Sequence, residues 1–286
     1  MNHKELWKAI FGDTDKYIEF YFKEKANKSI VYSKYDKENL VSMAFFTPYE
    51  MVYRGKECIC PYIVGVATAP EYRRRGYMKM LLEHGMMDAK ARGAEMAFLS
   101  PADEKIYEPL GFQSTLCRNV LEVLGHRKKW YGVSPYSRLD TEVKNRVAEF
   151  ANAQLYASDL DLYIKRSPAY FEVLHKERKA LNGKVIVLSE GSMIRGVAAY
   201  VHEEDFYEVT EVICAPEDGI QVVESICAYL AEAEFRKVIF SDSYFLPHVE
   251  DAGMGIKKEE KPYIMLKFFD EEIQAEELNV YINEIT

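Results

Sequence analysis

The chain lacks a long apolar run, a surplus of positive charge and a paired set of cysteines, and each shortage removes a class of function. No apolar stretch approaches the roughly 20 residues that span a bilayer, and Met1-Asn2-His3-Lys4-Glu5-Leu6-Trp7 has no apolar signal region, so a cytoplasmic protein without a membrane partner is expected. Five cysteines, Cys58, Cys60, Cys117, Cys214 and Cys227, are odd in number and scattered. Only Cys58-Ile59-Cys60 is a close pair, and no second Cys or His pair stands at ligand spacing, so reduced core thiols are expected and no metal site. With 37 Lys and Arg against 46 Asp and Glu, the net charge of −9 argues against nucleic acid, whose phosphates attract a basic surface. The same charge favours cationic small substrates.

What is present is an ordinary globular composition over 286 residues, enough for two domains that each bury a core. The most informative stretch runs from Tyr62 to Leu82. An apolar, β-branched run from Tyr62 to Thr68 predicts a strand, and Ala69-Pro70 stops it. From Met78 the apolar residues fall at Met78, Leu81, Leu82, Met86 and Ala89, one face of a helix that Arg92-Gly93 closes. Between strand and helix lie Arg73, Arg74, Arg75 and Gly76. The first N–H groups of a helix have no intrahelical acceptor and the dipole adds positive charge there, so this turn can hold an anion. Gly76, without a Cβ, permits close approach or a positive φ.

Arg73-Arg74-Arg75-Gly76-Tyr77-Met78 resembles motif A of the GCN5-related N-acetyltransferase (GNAT) superfamily, Arg/Gln-x-x-Gly-x-Gly/Ala, with Met78 in place of the last small residue. A second stretch, Tyr107-Glu108-Pro109-Leu110-Gly111-Phe112, is similar to the superfamily's Tyr-x-x-Leu/Phe-Gly-Phe/Tyr signature. The resemblance implies that the turn grips the pyrophosphate of acetyl-coenzyme A and that the pantetheine arm lies in a splayed gap between two parallel strands. It implies a cofactor-binding set of Val66, Ala67, Thr68, Arg73, Arg74, Arg75, Gly76, Tyr77, Met78 and Ser100. It further implies an acetyltransferase that transfers acetyl to a primary amine of a small molecule or peptide. A phenol with an ordinary pKa near 10 can protonate a departing thiolate of similar basicity, and Tyr107 is the choice for that general acid. A main-chain N–H around Val66 to Thr68 would meet the oxyanion.

The rest of the chain fits tandem GNAT folds, each a mixed, mostly antiparallel sheet with flanking helices. Two amphipathic helices are expected in residues 3–26, with Asp13, Thr14 and Asp15 all able to cap the second. Strands follow at Ser29–Lys34, Leu40–Thr47, Glu50–Tyr53 and Cys58–Thr68, then Glu95–Ser100 after the helix and Leu116–Leu121. The second half repeats this outline with helices at 140–155, 168–181 and 219–234 and strands at 184–188, 194–201, 207–214, 238–241 and 262–269. Val66-Ala67-Thr68-Ala69-Pro70-Glu71 finds an echo in Val212-Ile213-Cys214-Ala215-Pro216-Glu217, which suggests an internal duplication. The second turn carries Glu217-Asp218 where the first has arginines, and carboxylates repel a pyrophosphate. Only the first copy is therefore expected to bind coenzyme A. The expected division is a catalytic domain over 1–125, a degenerate copy over 126–270 and a tail over 271–286.

Ala69-Pro70-x-x-Arg73-Arg74-Arg75-Gly76 and Ile106-Tyr107-x-x-Leu110-Gly111-Phe112 also resemble the enhanced intracellular survival (Eis) group of acetyltransferases, whose members usually add a sterol-carrier-like domain. This chain ends at Thr286, too soon for one. The general base stays open. Tyr62 stands where many GNAT enzymes have a glutamate, and the alternatives are Glu50, Glu57, the Thr286 carboxylate, or no dedicated residue. His84 reads as structural, and His126 to Tyr131 as a solvated connection. Duplicated GNAT units often associate, which leaves a homo-oligomer open. A non-catalytic acyl-coenzyme A sensor or scaffold is the alternative function. A nucleotide-binding protein is weaker, since the Walker pattern is missing.

Overall fold

The computed structural model describes residues 1–124, 127–231, 237–242, 245–246, 249, 257–270, 273 and 275–283. Gly125, His126, residues 232–234 of the expected third helix of the second half, and Thr286 lie outside this set. In chain order the elements are α1 (His3–Phe11), α2 (Asp15–Glu24), β1 (Ile30–Asp36), β2 (Asn39–Tyr53), β3 (Lys56–Thr68), α3 (Tyr77–Ala91), β4 (Met96–Leu99), β5 (Gln113–Leu124), β6 (Gly132–Pro135), α4 (Thr141–Ala157), β7 (Leu162–Ile164), α5 (Pro168–Ala180), β8 (Lys184–Glu190), β9 (Met193–His202), β10 (Tyr207–Cys214), α6 (Gly219–Ala231), β11 (Lys237–Ser241), β12 (Lys257–Phe268) and β13 (Val280–Tyr281). They form two compact units, Met1–Leu116 with Pro262–Thr286, and Cys117–Lys261.

In the first unit α1 starts on a capping box, in which the Asn2 side chain accepts from Glu5 N at 3.0 Å and Asn2 N donates to Glu5 Oε2 at 2.8 Å. Of the three candidate caps for α2, Thr14 fills the role by accepting from Tyr17 N. The aromatic residues of these helices cover the sheet. Trp7 packs on Tyr21 at 4.4 Å and edge-on to Phe45 at 5.9 Å. The sheet runs β1, β2, β3, β4, β12, with β3 and β4 parallel and the other pairs antiparallel. β2 is one strand where two were expected, because Pro48 sits opposite Pro61 and both missing N–H groups fall on one rung. α3 lies on a core that includes Phe46, Ile63, Leu81, Leu82, Met86 and Leu99.

The second unit has the order β6, β8, β9, β10, β11 and then Val120–Leu124 of β5, with β10 and β11 its parallel pair. Its core includes Val209, Val212, Val222, Ile226, Leu230 and Phe240. A buried ion pair, Arg166 Nε to Glu211 Oε1 at 2.9 Å, takes a hydroxyl hydrogen bond from Tyr170. Each unit thus has the mixed, mostly antiparallel sheet with one parallel pair that the sequence predicts, twice over.

The last strand of each sheet comes from the other half of the sequence. Met265–Phe268, at the end of the second repeat, pairs with Met96–Leu99, and Val120–Leu124, at the end of the first repeat, pairs with Lys237–Ser241. The units therefore divide at 116/117 and 261/262, against the expected 125 and 270. The C-terminal strand joins the first unit because its ladder partner, β4, belongs there.

Candidate active site

The site begins where the parallel strands part. β3 and β4 pair only through Tyr62 with Phe98 and Ile63 with Leu99. β4 ends there, whereas Val64 to Thr68 continue. A bulge accompanies the separation. Phe45 faces Val64 and Met43 faces Ala67, so Gly65 and Val66 together oppose Ala44. Gly65 has φ +61°, and a Cβ there would overlap the Trp7 ring and stand 3.0 Å from Phe45 Cδ2. Trp7 is fixed in turn by Nε1 donating to Asp13 Oδ2 at 2.7 Å. Sequence reading passed over Gly65; the signal available was a lone glycine inside an otherwise β-branched strand.

The basic turn follows directly. Ser42 holds its approach, bonding Ala67 O at 3.0 Å and Thr68 Oγ1 at 2.8 Å. A short 3₁₀ turn at Pro70–Tyr72 then leads to Arg74 at φ +61° and Gly76 at φ +78°. Gly76 caps α3 with no side-chain hydrogen bond, and Met80 N is the first to bond back, to Gly76 O at 3.0 Å. Among the described residues, the N–H groups of Gly76, Tyr77, Met78 and Lys79 have no acceptor, and the first turn of α3 carries no acidic residue. The arginines are exposed and pair with no described carboxylate. Arg73 Nε donates to Thr68 O at 3.1 Å, and Arg75 donates to Glu71 O at 3.0 Å while lying 4.8 Å over the Tyr72 ring. Tyr72 is moored by its hydroxyl to Asp36 at 2.7 Å. Free amides, dipole and three guanidinium groups together make a strongly anion-seeking surface.

Tyr107 belongs to the core beneath α3, with Val66 and Met78 packed against the same cluster. The Met78 side chain thus joins the core, and the departure from a small residue leaves the amides at the turn open. Tyr107 is only 7% exposed. Burial pushes its phenol above the ordinary value of 10, so it keeps its proton at neutral pH. Its hydroxyl has no partner among the described residues, and it meets Phe112 edge-on at 6.1 Å. Ser100 follows β4, half-buried, while Ala67 is buried at 3% and can offer only main-chain groups. Tyr62 stacks on Phe98 at 4.9 Å and supplies no base. Glu50 and Glu57 are exposed, and the Thr286 carboxylate lies outside the described residues.

The second unit shows what happens to the same architecture when it is closed. β10 and β11 also pair briefly, at Tyr207 to Val209, before separating. Asp242, which follows β11 as Ser100 follows β4, accepts from Val212 N at 3.2 Å and from Phe245 N at 2.6 Å. Val212 is the echo of Val66, so a carboxylate of the chain itself takes up that main-chain donor. At the start of α6, a Cβ on Gly219 would lie 2.8 Å from Val249 and 3.6 Å from Phe245. Among the described residues, those packed on this turn, together with Glu217 and Asp218, leave no anion site like the turn of the first unit.

A parted parallel pair opening onto a free helix N-terminus is the architecture of acyltransferases that use an acyl-coenzyme A. Residues 2–115 match the model of the acetyltransferase (GNAT) domain. No curated protein matches the chain by sequence. Among solved structures, a conserved Enterococcus faecalis protein named a probable N-acyltransferase superposes with a TM-score of 0.74 at 16% identity, over 93% of this chain and 69% of that one. A GCN5-related N-acetyltransferase of Anabaena variabilis gives 0.72 at 16% identity, with the same coverage. Eis1 of Mycobacterium abscessus gives 0.55 at 13% identity, over 84% of this chain and 64% of that one. The fold is that of tandem GNAT proteins, Eis among them. Among the described residues no helix is long and apolar enough to cross a membrane.

Proposed function

We propose that the protein is an acetyl-coenzyme A-dependent N-acetyltransferase of the cytoplasm, acting on a primary amine of a small molecule or peptide. The observation that carries the reading is the turn from Arg73 to Met78, where among the described residues the N–H groups of Gly76, Tyr77 and Met78 have no acceptor and the guanidinium groups meet no carboxylate, at the mouth of a parted strand pair. In this reading the pyrophosphate sits on Gly76 to Met78, held by Arg73, Arg74 and Arg75, with Tyr77 beside it. The pantetheine arm follows Val66, Ala67 and Thr68 toward Ser100. A neutral amine attacks the thioester carbonyl, and a main-chain N–H near Val66 receives the oxyanion. As the tetrahedral intermediate collapses the C–S bond breaks, Tyr107 gives its proton to the thiolate, and the nitrogen loses its extra proton through water, which returns one to the Tyr107 phenolate. A buried phenol with a raised pKa suits the donor role, because it reaches this step protonated.

The test is release of free thiol by the purified chain with acetyl-coenzyme A over polyamines, aminoglycosides, amino acids and lysine peptides. Tyr107→Phe should lower kcat by about 10²- to 10⁴-fold with little change in the KM for acetyl-coenzyme A. Full turnover by that variant would remove the acid from the mechanism. One observation favours a second reading: Tyr62, stacked on Phe98 at 4.9 Å, stands where a carboxylate base is expected. A non-catalytic acyl-coenzyme A sensor would bind the thioester and yield no acetylated product from any amine in the panel.

A further inference from the structure

The C-terminal half of α3, away from the basic turn, borders a cavity. It measures about 430 Å³ and is lined by Ile30, Phe46, Pro48, Ile59, Pro61 and Ala89 among others, a volume within the range of small-molecule sites. It lies beyond the far half of the helix. With a rise of ~1.5 Å per residue, Gly85 is ~12 Å and Arg92 ~22 Å along the axis from Tyr77.

The opening is built into the packing. At Gly85 the helix touches the sheet so closely that a Cβ would overlap the Phe46 ring, and past that contact the two surfaces diverge over Ala89. The opposed prolines, Pro48 and Pro61, form part of the floor. A brace fixes one wall, since Asp88 accepts from the Tyr32 hydroxyl at 2.5 Å and from Arg92 Nε at 3.0 Å, tying β1 to α3. Ile59 is 55% and Ile30 37% exposed, so apolar surface is left facing solvent at the mouth.

A second cavity of about 170 Å³ adjoins the first, sharing Cys58 and Glu95 and adding Tyr53, Arg54 and Lys56. Around the pair stand four cations, Lys28, Arg54, Lys56 and Arg92, against two lining carboxylates, Glu57 and Glu95, and a third, Asp88, which is spent on Arg92 in the brace, so the excess rests on Lys28, Arg54 and Lys56 against two carboxylates. That local excess of positive charge runs against the chain's net −9. Cys58 adds no negative charge, because burial and Glu95 push its thiol up to about 11. Lys28 has no carboxylate partner among the described residues.

An apolar chamber with a cationic rim matches a ligand with a hydrocarbon body and one anionic end. We propose that this groove is a binding site for an aliphatic carboxylate, separate from the acyl-transfer cleft and filled independently of it. The proposal does not depend on the acetyltransferase reading, because the binding assay needs neither amine nor turnover.

Calorimetric titration of the full chain with sodium decanoate, and in parallel with decylammonium chloride, decides it. Decanoate should bind saturably at one per chain and at least tenfold more tightly than decylammonium. Ala89→Leu, which places three more carbons in the chamber, should weaken decanoate at least tenfold, and Lys28→Glu on the surface about fivefold, the equivalent of about 1 kcal/mol. Coenzyme A titrated into the same variants should bind as it does to the unaltered chain. No saturable decanoate binding up to about 1 mM, or decylammonium binding as tight as decanoate, overturns the proposal. So does an unchanged affinity in Lys28→Glu, which decides the matter if Ala89→Leu does not fold.

Discussion

Replacing Gly65 by alanine probes the bulge that opens the strand pair. A residue with a Cβ at φ +61° carries a left-handed backbone penalty of about 1–2 kcal/mol. The new methyl would also overlap the Trp7 ring, and that ring cannot swing aside freely: its indole N–H is held by Asp13 and one face lies on Tyr21 at 4.4 Å. Overpacking of this kind costs about 1–3 kcal/mol. Together the two terms predict a loss of ~2–5 kcal/mol, read as a lower urea midpoint at unchanged slope. Combining the change with Trp7→Leu separates them, because trimming the indole relieves the steric part and leaves the backbone part. The cycle should therefore show a coupling of about 1–3 kcal/mol between the two positions. A Gly65→Ala protein within about 0.5 kcal/mol of the original, or a coupling of zero, would refute this account of how β3 leaves β4.

Three further outcomes follow from features of the same kind. Asp242→Ala strands the N–H groups of Val212 and Phe245 and should cost about 1–3 kcal/mol for each, measured by urea unfolding; a change no larger than that of an exposed Asp→Ala would show that the second cleft is not closed by this carboxylate. Stability should fall on the alkaline side, because burial raises Tyr107, Tyr200, Cys214 and Cys227 in the folded chain. Raised values leave stability intact below the unfolded pKa, near 9 for thiols and 10 for phenols, and remove it as pH climbs toward the folded values, about 12 for Cys227. Urea midpoints that stay flat through this range, or a Tyr200→Phe protein with an unaltered slope, would contradict that origin. Finally, residues 1–125 expressed alone should fail to give a cooperative thermal transition, since Met265–Phe268 is missing from the edge of β4; a sharp transition with native-like circular dichroism would count against the strand assignment.

Much of the fold is legible because its local signals agree with its tertiary context. The run Tyr62 to Leu82 shows the change of period from strand to helix, and the start of α2 is marked by a cluster of capping residues, Asp13, Thr14 and Asp15. The echo between Val66 and Val212 corresponds to two real strand-to-helix turns. What the sequence conceals is long-range. Nothing local at Met265 says that its partner is Leu99, and a proline at 48 reads as a break until Pro61 is seen across from it. Gly65 and Asp242 escaped notice for the same reason: one is defined by the indole that fills its missing side chain, the other by a backbone amide 30 residues away. The basic turn was legible as a turn because the helix N-terminus, the glycine and the arginines are contiguous.

The borrowed end strands invert the order in which synthesis can finish the protein. Both strands of the β5–β11 pairing in the C-terminal unit have emerged once Ser241 is made, because β5 was translated long before. The N-terminal unit, although begun first, waits for Phe268, so after residue 125 its outer edge stays open while the ribosome adds more than a hundred residues, on the order of ten seconds. During that interval the exposed backbone of β4 is a docking edge for any nascent strand nearby, and the N-terminal unit is the last part of the molecule to become whole.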